Sequence, residues 1–203
     1  MQSSDKLEKP GKVHVKDDYD DFIKQEEKKM TLIIILCQVL FSSYGIEYTY
    51  WEDCNKQEQE QILKKIPDNA ELKVAYFGQF HFTDNDRTEN FLKTLCFSNN
   101  DDERMLKFYV LNTIIDSSDG ALKEMLGCYC YLYFKKNTSY LLHYLKKNIK
   151  IRNEYVLLIG AELYYNGIGI EECKKSMSAI IPPKDIALLN SFLYDVENVG
   201  RTL

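Results

Sequence analysis

No apolar run in this chain reaches the roughly 20 residues that a membrane-spanning helix needs. The most apolar stretch, Leu32 to Phe41, apolar except for Cys37 and Gln38, has the length of a signal core or a buried helix rather than of an anchor. A basic surplus is missing as well: 26 Lys and Arg stand against 31 Asp and Glu, for a net charge of −5, so composition supplies no electrostatic footprint for nucleic acid. No CxxC or comparable ligand spacing occurs, which speaks against a zinc site. There is no Ser in a G-x-S-x-G turn, no Cys-His pair near in sequence and no Gly-rich loop after a strand, so hydrolase, thiol-protease and nucleotide-site readings lack support. No catalytic, cofactor-binding or metal residue is assigned, and no cofactor is expected. Beyond residues 1–29, which include His14, imidazole and carboxylate crowd together only at His81, Asp84 and Asp86, in HFTDND. Such groups can hold a metal or exchange protons, but a helix-end His beside capping aspartates is more often structural. His143, between Leu142 and Tyr144, reads as a surface or partly buried helix residue.

What the sequence does contain begins with an address. Lys28 and Lys29 precede the Leu32–Phe41 core, and Ser43 and Gly45 then occupy the −3 and −1 spacing of a signal-peptidase site. Residues 30–45 are therefore expected to be an export signal, making the protein periplasmic or secreted with a mature end at Ile46. The alternatives are a buried core helix of a cytoplasmic protein and an uncleaved anchor. Residues 1–29 mix both charge signs with few apolar side chains, and are expected to be a disordered leader or to precede a true start near Met30. Residues 46–203 make a single domain of ordinary size. Without Cys37 the domain keeps five cysteines. Cys128 and Cys130 read as core thiols, and in an exported chain a bridge is expected between two of Cys54, Cys96 and Cys173, the pair being left open.

Past Ile46–Cys54, an extended lead-in, the pattern is helical throughout. Asn55 with Glu58, and Asp68 with Glu71, form capping-box arrangements, and Gly78 falls inside the second helix as a weak spot. Apolar segments then alternate with polar breaks at 83–86, 98–102, 116–120, 136–139, 151–153 and 166–169. Stripes at the helical period follow: Phe91, Leu92, Leu95 and Cys96; Leu122, Leu126, Tyr129 and Tyr133; Leu141, Leu145 and Ile149; Ile186, Leu189, Leu193 and Val196. Met105–Ile115 and Tyr155–Tyr165 are apolar on most of their circumference and are expected to be central helices. The predicted fold is all-α, with antiparallel helical hairpins stacked as a short solenoid-like array or a compact helical bundle.

Tyr164, Gly167, Gly169 and Ile170, in YYNGIGI, resemble the Y-x-x-G-x-G-V turn of Sel1-type repeats, relatives of the tetratricopeptide hairpin. Ala161 stands where that family has Gly, and Cys173 where it has an acidic residue. The resemblance implies a helical-hairpin architecture and a family habit of protein binding. Two function classes remain. One is an exported, non-catalytic module that binds a protein partner, as an adaptor, inhibitor or immunity-type protein. The other is an enzyme whose site is assembled from distant residues near His81. The 15 Tyr and 10 Phe offer contact surface and favour the binder, although each single Tyr is more often core edge.

Overall fold

Asparagine side chains cap three of the helices, and in each the side-chain oxygen meets a backbone donor that the first turn would otherwise leave unpaired. Asn55 accepts from the Glu58 N–H at 3.0 Å while Glu58 Oε2 accepts from the Asn55 N–H at 2.8 Å, completing the expected capping box of α1 (Lys56–Lys64). Asn85 caps α3 (Asp86–Leu95) through Thr88, and Asn100 caps α4 (Asp101–Ser117) through Glu103, both at 2.9 Å. The second capping box does not form. A turn closed by the Ala70 N–H on the Pro67 carbonyl takes up Asp68, which pairs with Lys73 instead, and Ala70 precedes α2 (Glu71–Tyr76). Gly78 is not inside α2 but ends it. At φ +69 it lets the Gln79 N–H reach the Val74 carbonyl and its own N–H reach Ala75, the two bonds of a left-handed helix stop.

The computed structural model describes residues 47–201, and the expected leader and export signal lie outside them. Among the described residues the chain is all-α, with nine α-helices, two 3-10 turns and no strand. The remaining helices are α5 (Gly120–Lys136), α6 (Thr138–Lys147), α7 (Ile149–Tyr165), α8 (Ile170–Ser178) and α9 (Ile186–Gly200). Asn137 alone separates α5 from α6, and Asn148 alone separates α6 from α7. The second junction corrects the break expected at 151–153. Asn148 leaves the helical conformation at ψ 80, and its N–H and side-chain amide both bond the Tyr144 carbonyl. Ile149 therefore starts a new helix rather than extending the Leu141–Leu145 stripe, and it is 60% exposed.

The other stripes are buried as expected except at their first residues Leu122 and Ile186, which are half-buried. Helix α7 is the centre of a compact bundle, packed on α4, α5, α6 and α9, and α4 meets α2, α3 and the 3-10 turn Trp51–Asp53. Glycines bring the axes together. A Cβ at Gly127 of α5 would stand 3.2 Å from the Leu158 carbonyl, and one at Gly160 of α7 would stand 3.2 Å from the Val196 carbonyl. The tyrosine surplus is spent largely inside. Phe108 stacks on Tyr133 at 5.1 Å and meets Tyr144 edge-on at 4.7 Å, while Tyr50 lies 4.7 Å from Tyr140 and donates its hydroxyl to the Tyr140 carbonyl at 3.0 Å. Such ring pairs add about 0.5–1.5 kcal/mol each beyond their area. This packing seats the lead-in, whose Tyr50 and Trp51 are both buried, against α4 and α6.

Candidate protein-binding face

His81, Asp84 and Asp86 do not converge. His81 and Asp84 are exposed on the connection into α3 and Asp86 is exposed as its first residue, where Asn85 caps the helix and the buried Thr88 hydroxyl accepts from the Thr83 N–H at 3.2 Å. The segment's anchor is aromatic instead: Phe80 stacks on Phe82 and on Phe91, each at 4.7 Å. Among the described residues no cluster of three or more His, Cys, Asp and Glu has the arrangement to hold a metal ion.

The histidine that does find a carboxylate is His143. Its Nε2 lies 2.9 Å from Asp185 Oδ1, across 42 residues of sequence that gave no signal of the pairing. Asp185 is 1% exposed and stands at the start of α9, so the pair fastens that helix end to α6, and the positive end of the α9 dipole favours the carboxylate there. The second carboxylate oxygen, Oδ2, is sealed from solvent without a hydrogen-bond partner.

The cysteines are likewise structural, and the bridge expected in an exported chain is not formed. All five among the described residues are free thiols. Cys54 lies 3.9 Å from Met105 Sδ, Cys96 reaches the Leu92 and Tyr129 carbonyls, and Cys173 is buried in α8. Burial pushes the Cys96 thiol up to about 12. Cys130 is core as expected, whereas Cys128, two residues back, points to solvent.

One face of α7 stays uncovered, although the sequence led us to expect this helix to be enclosed. Leu157 and Tyr164 project from it at 41% and 55% exposure, seven residues and so about two turns apart, with Tyr165 beside them at 77%. Tyr164 and Tyr165 pack edge-on at 5.5 Å. Next to this stripe, between α5 and α7, runs a groove of about 350 Å³ whose floor is Gly127, Leu158 and Ala161 and whose rim carries Glu162 and Tyr165. The stripe ends at the YYNGIGI turn, where Gly167 at φ +64 stops α7 through bonds from the Gly167 N–H to the Tyr164 carbonyl and from the Ile168 N–H to the Leu163 carbonyl. Periodicity identified α7 as apolar all round, but only the tertiary arrangement decides which flank receives a neighbour. Comparison of the chain with protein-family models, with curated proteins and with solved structures found no match in any of the three.

Proposed function

We propose that this chain is an exported, non-catalytic helical module that binds another protein through the outer face of α7. The observation that carries the reading is the stripe of Leu157, Tyr164 and Tyr165, large apolar and aromatic side chains exposed on the helix most of the bundle is built around. Rigid rings held out from a fixed helix lose little conformational freedom on binding, which is why Tyr is enriched at the energetic centre of interfaces. The chain's net charge of −5 favours a partner with a basic face, whose encounter it accelerates by electrostatic steering. An adaptor, inhibitor or immunity-type role fits this description.

The test is affinity capture from the native envelope with three baits: the wild-type domain, Leu157→Lys and Tyr164→Ala. A partner retained by the first and lost from both variants, with circular dichroism unchanged, supports the reading. Equal retention by all three overturns the assignment of the face. The second reading, an enzyme with a site assembled from distant residues, has one observation in its favour, the His143–Asp185 pair. It requires a turnover that His143→Ala abolishes while the fold persists.

A further inference from the structure

The groove between α5 and α7 is unbalanced in charge. Lys123 lines it but is engaged at 2.9 Å by Glu154. Glu162 and Glu124 line it too, and among the described residues neither is held in an ion pair. Burial pushes the Glu162 carboxyl up, and no partner pulls it back. Gly127 lets the two helices meet along the groove, since a Cβ there would stand 3.2 Å from the Leu158 carbonyl.

Resting on the binding reading above, we infer that this groove receives one lysine or arginine side chain of the partner protein. Its shape suits the two halves of such a side chain. Leu158 and Ala161 offer an apolar floor for the methylene stem, and Glu162 and Glu124 offer carboxylates to the charged head. Tyr165, the most exposed ring on α7, stands at the rim where its face can cover the cation. The groove thus complements the apolar stripe beside it: the stripe supplies contact area, and the groove selects for positive charge.

The experiment is an NMR titration of the full chain with N-acetyl-lysine methylamide, carried to tens of millimolar, against N-acetyl-norleucine methylamide, which has a similar stem and no charge. The lysine probe is expected to move the amides of Gly127, Glu162 and Tyr165, and the norleucine probe to leave them in place. Glu162→Gln is expected to weaken the lysine response by about tenfold, the usual weight of a hydrogen bond to a charged group. That variant keeps its fold, because a carboxyl raised on folding opposes folding once ionised, so its removal costs no stability at neutral pH. Identical shifts from both probes, no shift at the highest concentration, or an unchanged response in Glu162→Gln overturns the inference. The partner experiment separates it from the reading it rests on. Capture lost with Tyr164→Ala but intact with Glu162→Gln leaves the binding face standing and removes the cation pocket. A groove that titrates as expected in a protein that retains no partner does the reverse.

Discussion

Leu126 is wholly buried in α5, in the stripe it shares with Tyr129 and Tyr133, so truncating it removes both transfer energy and packing partners. Leu126→Ala is expected to cost about 2–5 kcal/mol in chemical denaturation, and a loss below about 0.5 kcal/mol would be inconsistent with a core position. Glu103 makes a different kind of contribution. Burial pushes its carboxyl up, but Lys107 Nζ at 2.7 Å and the Asn99 N–H at 2.8 Å outweigh that and hold it below the usual carboxylate range. A carboxyl depressed on folding stabilises the protein above its unfolded value, near pH 4.5, and loses that contribution as pH falls through its lower folded value. Acid unfolding of Glu103→Gln should accordingly show a shallower fall in stability below about pH 4.5, with a deficit at neutral pH of about 1 kcal/mol, typical of a helix-start contact. A variant whose acid profile overlays the wild type would refute the assignment.

At the scale of helices, the crossings at Gly127 and Gly160 set how closely α5, α7 and α9 approach. A Cβ at Gly160 would stand 3.2 Å from a backbone carbonyl and 3.3 Å from Val199, and a backbone has little freedom to yield. Gly160→Val should therefore destabilise by about 1–3 kcal/mol through overpacking, measured as a lowered denaturation midpoint; a midpoint equal to wild type would mean that α9 can move aside. These crossings also show what the sequence could and could not reveal. Helix existence was legible, because the stripes through Leu92, Leu126 and Leu189 follow the helical period and these three leucines are fully buried. Two boundaries were not. A single Asn148 ends a helix only because its amide bonds the Tyr144 carbonyl, a choice indistinguishable in sequence from an exposed helical Asn. Gly78 reads equally as a weak helical residue or a left-handed stop until the Gln79 N–H finds Val74. The candidate face was less legible still, since the exposure of Leu157 depends on where α5 and α9 lie, and the His143–Asp185 pair spans 42 residues.

For the whole molecule, the export reading predicts a chain that begins at or near Ile46 when recovered from its native cell and sequenced from the N-terminus. An intact protein starting at Met1 in the cytosol would cancel it and return the Leu32–Phe41 segment to the domain. The binding reading predicts a rate of association with the partner that falls steeply with added salt, because a net charge of −5 steers only as far as counterions permit; a rate indifferent to salt would remove the basic partner. The one-residue junctions at Asn137 and Asn148 have a mechanical consequence besides. With no slack between them, α5, α6 and α7 behave as links of a taut linkage, so a peptide spliced into either junction must pry whole helices out of register. The Gly167–Gly169 turn, exposed at both glycines and with open space where a Cβ would sit at each, is the place where the chain can be lengthened, tagged or cut while the linkage stays closed.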